Sequence, residues 1–165
     1  MNFVLGIDGG GTSCRAALAT ADGTVVGRAK SGAANIRTDL TGARTNIVEA
    51  ARQAFLAAGQ DPELIPQTPA ILGLAGANVG TYRQQLEAIL PFSISRVETD
   101  AEIALEGAVG SGDGAMAILG TGTAYMARKH GKSRAIGGWG FQVGDQGSGA
   151  RIGRDLLEQT LLAHD

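Results

Sequence analysis

The chain has 165 residues, of which 44% are hydrophobic, and its formal net charge is −2 at pH 7. This composition predicts a globular protein with a sizeable core, and the small charge gives no electrostatic reason to expect nucleic acid or a membrane surface as a partner. The one cysteine, Cys14, excludes an internal disulfide and a cysteine-based metal cluster within the chain, and because neither a signal-peptide pattern nor a bilayer-spanning apolar stretch is visible, we expect a cytoplasmic protein.

The first predicted strand, Val4–Asp8, ends at three glycines that are followed by Thr12 and Ser13. Glycine adopts positive φ angles and leaves room for another group to approach the backbone. Together with the Asp8 carboxylate, the loop offers amide donors, hydroxyl donors and a metal ligand, which are the groups that a nucleotide phosphate with its magnesium needs. The alternative is a glycine-rich hairpin turn beside an N-terminal strand.

Two further strands are predicted over Cys14–Thr20 and Thr24–Ala29, and the Asp-Gly pair between them predicts a hairpin. The glycine loop therefore joins a strand to a strand, whereas P-loop and dinucleotide-binding motifs join a strand to a helix. The loop also lacks the Gly-Lys-Ser/Thr sequence of the first motif and the G-x-G-x-x-G spacing of the second. Both of these nucleotide-binding motifs are excluded.

The next part of the chain alternates between helical and strand-like patterns. Apolar residues at helical spacing predict a long helix that Gly59 and Pro62 end, and continuous apolar runs predict buried parallel strands. The predicted elements are a helix over Asp39–Ala58, a strand over Pro69–Ala75, a helix from Asn78 or Thr81 to Pro91, a strand over Phe92–Val97 and a helix over Ala101–Val109. This order predicts one mixed-sheet α/β domain with carboxylate-bearing loops at the strand ends.

After a flexible joint at Gly110–Gly114, the pattern of the N-terminus recurs. The predicted elements are a strand over Ala115–Leu119, a GTGT loop at Gly120–Thr123, a strand over Ala124–Lys129 and a strand near Arg134–Ile136. Two copies of a hairpin with a phosphate-type loop predict two related lobes, over residues 1–112 and 113–165, that face one nucleotide. The recurrence favours phosphate binding by the first glycine loop over a plain turn.

Six short segments of the chain form an ordered set: Gly6–Ser13 (GIDGGGTS), Ser31–Ile36 (SGAANI), Leu74–Ala77 (LAGA), Thr99-Asp100, Leu119–Thr123 (LGTGT) and Gly137–Ala150 (GGWGFQVGDQGSGA). In this order they resemble the actin-like ATPase superfamily, and within it the N-acetylglucosamine and glucosamine kinases that are grouped with the BadF/BadG/BcrA/BcrD ATPases. The resemblance implies an α/β, actin-like (ribonuclease H-like) ATPase fold, with a complete first lobe and the beginning of a second. It also implies ATP-dependent phosphorylation of an amino sugar on its 6-hydroxyl. The adenosine-contacting segment of these longer kinases lies beyond the part that the chain matches.

The two loops and the resemblance together imply where ATP and Mg²⁺ bind. The residues expected to bind the ATP phosphates are Gly9, Gly10, Gly11, Thr12, Thr121, Gly122 and Thr123. Asp8 is expected to hold magnesium, directly or through water, at the end of the first strand. A turn-capping carboxylate is the alternative role for Asp8.

Asp100 is the expected general base. Phosphoryl transfer needs an acceptor hydroxyl in line with the γ-phosphate, charge neutralisation and usually a base. The Asp100 carboxylate ends a predicted strand at the same edge as the glycine loops, and the resemblance implies the catalytic aspartate at this position. A well-placed carboxylate can take the proton of a sugar hydroxyl late in the transition state. The alternative is that Asp100 is the N-cap of the following helix, on which Glu102 and Glu106 are expected to face solvent.

The residues that the resemblance implies for sugar binding are Asn35, Asp100, Gly138, Trp139 and Asp145. Carboxylates and amides can hydrogen-bond sugar hydroxyls, and aromatic faces can cover a sugar ring. A helix that begins near Ser148 is expected to direct its N-terminus into the same site. A local turn is the alternative role for Asn35, and an ordinary core position is the alternative for Trp139. These residues leave open whether the sugar is N-acetylglucosamine or glucosamine.

Two other functions are consistent with the same fold. One is a non-catalytic protein that binds a sugar or a nucleotide, although the presence of both Asp8 and Asp100 argues against it, since a pure binder needs no base. The other is an ATPase that activates a dehydratase, which needs cysteines for an iron–sulfur cluster, whereas the chain has Cys14 alone. An exposed partial sheet in the second lobe also predicts a homodimer.

Overall fold

The computed structural model describes residues 3–165, which fall into two compact units. The first unit extends to Ile103, and the second runs from Ala104 to Asp165. This division falls within a helix, whereas the predicted lobes divide after residue 112, and the lobe boundaries stay a prediction. No helix in the described part of the chain is long and apolar enough to cross a membrane.

The first unit is built on a mixed five-stranded sheet. Its strands are β1 (Phe3–Gly9), β2 (Cys14–Thr20), β3 (Val25–Ser31), β4 (Ala70–Leu74) and β5 (Ser95–Thr99), in the spatial order β3-β2-β1-β4-β5. The strands β1, β2 and β3 form an antiparallel meander, while β1, β4 and β5 run parallel to one another. The predicted meander followed by parallel strands is confirmed.

Helices connect the strands that follow the meander. They are α1 (Leu40–Ala57), α2 (Tyr82–Glu87) and α3 (Asp100–Val109). The N-cap of α1 is Asp39, whose carboxylate accepts a hydrogen bond from the N–H of Gly42 at 2.8 Å. Gly59, just beyond the helix, adopts a φ of 66°, which suits a helix terminus. The short 3₁₀ helix Pro62–Gln67 is absent from the predicted elements, because proline suits both the end of one helix and the first turn of another.

The core of the first unit lies between α1 and one face of the sheet. Alternate residues of β1 and β2 are buried on this face. Phe55 of α1 is fully buried, and its ring lies edge-on to Phe3 with the ring centroids 6.0 Å apart. Gly27 of β3 lies directly against α1, since a Cβ atom there would overlap the carbonyl oxygen of Ala54. This close approach explains a glycine in the middle of a strand.

The predicted range of the fifth strand is wrong at both ends. The sequence predicts a strand over Phe92–Val97, whereas β5 begins at Ser95 and continues to Thr99. Phe92 is buried in the core although it lies in a bend before the strand. Because a loop can bury an aromatic side chain as well as a strand can, the apolar run does not show where the strand begins.

The second unit contains a three-stranded antiparallel sheet and one long helix. Its strands are β6 (Gly114–Leu119), β7 (Thr123–Lys129) and β8 (Lys132–Gly137), in the order β6-β7-β8, and its helix is α4 (Gly149–His164). The turn between β7 and β8 places His130 and Gly131 at φ angles of 50° and 71°, as a tight hairpin turn requires. The predicted recurrence of strand, GTGT loop, strand, turn and strand is confirmed.

Candidate active site

The carboxyl ends of the parallel strands bring several predicted site segments to one edge of the first sheet. Gly9 of β1 is in register with Leu74 of β4, and Leu74 is in register with Thr99 of β5. The residues that directly follow these three strand ends, and so lie at this edge, are Gly10, Ala75 and Asp100. In open α/β sheets this edge is where ligands bind.

The loop that contains Asn35 lies across the same edge. The N–H of Ala34 donates to the carbonyl oxygen of Gly10 at 2.8 Å, and the N–H of Ile36 donates to that of Ala75 at 3.1 Å. These two hydrogen bonds place the half-buried Asn35 between the ends of β1 and β4. The first glycine loop and the SGAANI segment therefore lie side by side at this edge of the sheet.

The Asn35 side chain has a role within its own loop. Its Oδ1 accepts a hydrogen bond from the N–H of Arg37 at 3.1 Å, so the local turn given as the alternative is present. Its Nδ2 group has no acceptor within residues 3–165 and remains available to a ligand. Gly76, at a φ of 87°, lies close to the Asn35 side chain, since a Cβ atom at Gly76 would lie 2.9 Å from Asn35 Oδ1. Sugar binding by Asn35 stays a prediction.

The three consecutive glycines of the first loop have different surroundings. Gly9 is buried, and a Cβ atom there would lie 2.6 Å from Leu74 Cδ2 and 2.8 Å from Ala34 Cβ. Gly10 donates its N–H to the carbonyl oxygen of Ser13 at 2.9 Å. Gly11 is exposed, and a Cβ atom there would have no neighbouring segment within 4 Å. None of the three glycines adopts a positive φ, so backbone conformation does not require a glycine at any of them. The close neighbours of Gly9 require a glycine there, and the open space at Gly11 leaves room for a ligand.

The amide groups of this loop are partly free. Within residues 3–165, the N–H groups of Gly11 and Thr12 have no protein acceptor, and both residues are exposed. Adjacent free N–H groups in a turn form a concave donor surface for an anion. The loop can therefore bind phosphate through its backbone, although contact with ATP stays a prediction for Gly9, Gly10, Gly11 and Thr12.

We expect Gly9→Ala to lower the free energy of unfolding by about 1–3 kcal/mol, because the new methyl group has no room between Leu74 and Ala34. Gly11→Ala is the matched control, since the space around Gly11 is open, and its effect is expected to stay within about 0.5 kcal/mol. Urea unfolding followed by circular dichroism measures both changes. Equal losses of stability in the two variants would contradict the distinction between a packed and an open glycine.

Asp8 lies near the end of β1 with its side chain 46% exposed. Its nearest charged partner is Arg15 on β2, with Nε 3.6 Å from Oδ2. In the described part of the chain the contact of the carboxylate is this ion pair and not a backbone N–H, so the turn-capping alternative is not observed. Within residues 3–165 there is also no cluster of three metal-ligating side chains. A single carboxylate fits Mg²⁺, which takes one or two carboxylates and completes its shell with water and substrate phosphates.

Asp100 occupies the first position of α3, directly after the last residue of β5. The N-cap role given as its alternative belongs instead to Thr99, whose Oγ1 accepts a hydrogen bond from the N–H of Glu102 at 3.1 Å. The expectation that Asp100 ends the strand is also corrected, because β5 ends one residue earlier, at Thr99. The Asp100 carboxylate is exposed, and its one hydrogen bond within residues 3–165 is accepted from the N–H of the next residue, Ala101, at 2.9 Å.

Glu102 and Glu106 lie on a solvated face of α3, as expected, with side chains 38% and 57% exposed, but both also make specific contacts. Glu102 Oε2 accepts hydrogen bonds from the N–H and the Oγ1 of Thr99, and Glu106 forms an ion pair with Arg128 at 2.6 Å. The spacing Thr-x-x-Glu before an apolar helix is a capping-box pattern, so the contact between Thr99 and Glu102 could have been found in the sequence.

In the second unit, the GTGT loop is tied to a predicted sugar-binding residue. Asp145 Oδ1 accepts a hydrogen bond from the N–H of Thr123 at 3.1 Å, and a Cβ atom at Gly122 would lie 3.1 Å from Asp145 Oδ2. Thr123 is 5% exposed, whereas Thr121 is exposed. Asp145 itself adopts a φ of 58°, which is uncommon for a residue other than glycine. Phosphate binding by this loop and sugar binding by Asp145 stay predictions.

Within residues 3–165, every N–H group at the start of α4 has a protein acceptor, and the direction of this helix N-terminus into the sugar site stays a prediction. The N–H groups of Gly149 and Ala150 donate to the carbonyl oxygens of Gly120 and Thr121, at 2.8 and 3.2 Å. The next two N–H groups donate to the Oγ and the carbonyl oxygen of Ser148. All of the otherwise unpaired donors at the start of this helix are therefore satisfied within the unit.

Two further predicted sugar-binding residues are open to solvent. The Trp139 side chain is 77% exposed in the described chain, so the core position given as its alternative is not observed. Gly138 adopts a φ of 70°, which a residue with a side chain rarely adopts. An exposed aromatic face can cover a sugar ring, and this role stays a prediction.

Cys14 is a buried thiol, as the sequence predicts. Burial, with a smaller effect from the charge of Asp8, raises the pKa of Cys14 to about 11, although hydrogen bonding to Ser31 lowers it. A thiol that stays protonated near neutral pH is a poor nucleophile. Cys14 is therefore part of the core and not of the candidate site.

Known proteins resemble this chain in sequence and in fold. The sequence pattern of the BadF/BadG/BcrA/BcrD ATPase family matches residues 5–165. The chain is 42% identical over 166 residues to a glucosamine kinase of Vibrio cholerae, and the match covers 100% of the chain and 56% of that protein. It is 31% identical over 171 residues to an N-acetylmuramic acid/N-acetylglucosamine kinase of Clostridium acetobutylicum, and the match covers 100% of the chain and 55% of that protein. The chain thus spans little more than half the length of the curated relatives that it matches.

Among solved structures, a candidate N-acetylglucosamine kinase from Chromobacterium violaceum matches with a TM-score of 0.87 and 31% identity, over 99% of this chain and 58% of that one. Together with the strand order of the first sheet, this likeness shows a partial actin-like α/β fold. The match of the family pattern covers almost every described residue, including all six ordered segments. The chain belongs to the BadF/BadG/BcrA/BcrD ATPase family.

Proposed function

We propose that the protein is an ATP-dependent kinase that phosphorylates an amino sugar, glucosamine or N-acetylglucosamine, on its 6-hydroxyl. The observation that carries the proposal is the carboxyl edge of the first sheet, where the exposed Asp100 follows β5 and the amide-rich loop after Gly9 follows β1. Membership of an ATPase family supports ATP as the phosphoryl donor. The names of the relatives support an amino sugar as the acceptor.

In the proposed reaction, Asp100 accepts the proton of the sugar hydroxyl while the hydroxyl oxygen attacks the γ-phosphorus of ATP. The bond from the γ-phosphorus to the β,γ-bridging oxygen breaks, and ADP leaves with that oxygen. The N–H groups of Gly11 and Thr12 donate to phosphate oxygens and stabilise the charge that develops on them. Asp8 would hold Mg²⁺, directly or through water, and the ion would supply further neutralisation of the phosphate charge.

The remaining assignments rest on the sequence. Asn35, which keeps its Nδ2 group free, contacts a sugar hydroxyl, and Gly138, Trp139 and Asp145 are assigned to the sugar as well. Thr121, Gly122 and Thr123 are assigned to phosphate. A two-lobed organisation divided after residue 112, a cytoplasmic location and a homodimer complete the proposal.

Calorimetry on the 165-residue chain tests ligand binding directly. We expect heat of binding with glucosamine or N-acetylglucosamine, since the predicted sugar-binding residues Asn35, Asp100, Gly138, Trp139 and Asp145 all lie in this chain. Galactose, which differs in ring stereochemistry and lacks the amino group, is the control sugar. The stronger of the two hexosamine signals identifies the preferred acceptor.

Turnover is measured on the full-length protein by coupling ADP release to NADH oxidation. Release of ADP that depends on a hexosamine supports the kinase. Sugar binding without any such release would replace the proposal with the non-catalytic binding protein, and the absence of both would overturn the amino-sugar assignment altogether.

A further inference from the structure

The direction of the Asp100 carboxylate depends on the corner, the bend at Thr99 and Asp100 where the backbone passes from β5 into α3. No loop residue separates the strand from the helix, and among the described residues the carboxylate accepts one hydrogen bond, from the N–H of Ala101 at 2.9 Å. The side chain is therefore aimed by the backbone that carries it. Any group that fixes this corner also fixes the position of the carboxylate.

Glu102 closes the corner by reciprocal hydrogen bonds. Its Oε2 accepts from the N–H of Thr99 at 3.2 Å and from Thr99 Oγ1 at 3.1 Å, while its own N–H donates to Thr99 Oγ1 at 3.1 Å. This is the geometry of a capping box, in which the first residue and the fourth residue satisfy each other's free donors. Asp100 lies between these two residues, so the box fixes the backbone on both of its sides.

Glu102 is held in turn by Arg83 of α2. The guanidinium of Arg83 lies 2.9 Å from Glu98 Oε2 and 3.8 Å from Glu102 Oε2, so it links the end of β5 to the first turn of α3. The Glu98 side chain is 15% exposed, which makes this pair stronger than a fully solvated one. Partial burial alone raises the pKa of Glu98, but hydrogen bonding from Arg96 and the charges of Arg83 and Arg96 outweigh it and hold the pKa below its usual value.

A second contact from α2 supports the same strand. As the outermost strand of the sheet, β5 leaves N–H groups on its outer side without a neighbouring strand. Glu87 Oε1 accepts from the N–H of Val97 at 2.7 Å, and Glu102 accepts from the N–H of Thr99, two residues later.

On the other side of the corner, Ile103 packs over Gly73 of β4, where a Cβ atom would overlap the Ile103 side chain. The corner is thus fixed by side chains from α2 and α3 and by packing onto β4.

We infer that Glu102, held by Arg83, is a positioning residue for the phosphoryl transfer: it fixes the corner at Thr99 and thereby aims the Asp100 carboxylate at the acceptor hydroxyl. This inference rests on the proposed kinase function. A displacement of about 1 Å in a reacting group can cost about 100-fold in rate, so the corner affects kcat and leaves sugar affinity almost unchanged.

The test compares Glu102→Ala with Glu102→Gln in the full-length protein. Glu102→Ala removes the capping box and is expected to lower kcat about 10- to 100-fold, while the KM and Kd for the hexosamine stay within about twofold. Glutamine keeps an acceptor oxygen for Thr99, as capping boxes allow, so Glu102→Gln is expected to recover most of kcat. Glu106→Ala, on the same helix, removes an ion pair away from the corner and is expected to leave kcat within about twofold of the unmodified protein.

A second variant keeps the inference testable if Glu102→Ala does not fold. Arg83→Gln removes the guanidinium and retains the capping box, and it is expected to lower kcat several-fold without changing the hexosamine Kd. Unchanged kcat in a folded Glu102→Ala variant, or in Arg83→Gln where the first variant fails to fold, overturns the inference and leaves the kinase proposal intact. A parallel rise in KM and Kd would make Glu102 a binding residue and overturns it too. Lack of hexosamine-dependent ADP release in the unmodified protein would overturn the kinase proposal, and this inference with it.

Discussion

Asp100→Asn is expected to lower the kcat of the full-length protein by about 10²- to 10⁴-fold, which is the usual contribution of a general base. The amide retains the shape of the side chain and the acceptor for the N–H of Ala101, so the corner at Thr99 stays intact. It loses the ability to take the proton of the sugar hydroxyl. The hexosamine Kd, measured by calorimetry, is therefore expected to change by less than about threefold, since the amide can still hydrogen-bond the sugar.

The matched control for this experiment is Asp22→Asn. Asp22 is an exposed aspartate in the turn between β2 and β3, at the opposite edge of the same sheet from Asp100. Asparagine suits turn positions as aspartate does, so kcat is expected to stay within about twofold of the unmodified protein. Full turnover in Asp100→Asn would refute its role as the base, and complete loss of sugar binding would show that its main role is to hold the sugar.

Phe55→Ala is expected to lower the free energy of unfolding by about 3–5 kcal/mol, the usual cost of removing a buried aromatic side chain. The ring is fully buried between α1 and the sheet and lies edge-on to Phe3, so its removal leaves a cavity. Because α1 already lies directly against Gly27, the helix cannot move closer to the sheet to fill that cavity. Urea unfolding followed by far-ultraviolet circular dichroism measures the loss.

The neighbouring residue on α1 provides the control for Phe55. Leu56 is 48% exposed, so Leu56→Ala removes few core contacts and is expected to cost less than about 1 kcal/mol. A similar loss in both variants would mean that α1 does not present Phe55 to the sheet in the way that the structure describes.

Local sequence patterns were sufficient for much of the fold. The Asp-Gly pair identifies the hairpin of β2 and β3, Asp39 marks the start of α1, and the recurrence of GGGT as GTGT identifies the second hairpin with its loop. Turns, caps and alternation depend on neighbouring residues, so they can be seen in the sequence. The bounds of β5 are one exception, because Phe92 reaches the core from a bend and thereby extends the apolar run, and the short 3₁₀ helix is another.

The roles of individual glycines depended on distant segments. Gly9 and Gly11 look alike in the run of three, yet only Gly9 is enclosed by Leu74 and Ala34, which lie far from it in the chain. A periodic pattern carries no information about which of several adjacent glycines another segment will contact. The phosphate-binding interpretation could be made from the sequence, whereas the distinction between the packed Gly9 and the open Gly11 needed the structure.

Sequence and tertiary structure also contributed different information about Asp100, the candidate base. The sequence alone identified the family, the glycine loop and Asp100 as the residue with the right chemistry, and the Thr-x-x-Glu spacing contained the capping box at its side. Only the tertiary structure decided how Asp100 is held, since Arg83 and Glu98 are 15 residues apart and meet because α2 packs beside the outermost strand. Chemistry-bearing residue types are encoded locally, but an ion pair between two elements exists only once the chain has folded around it.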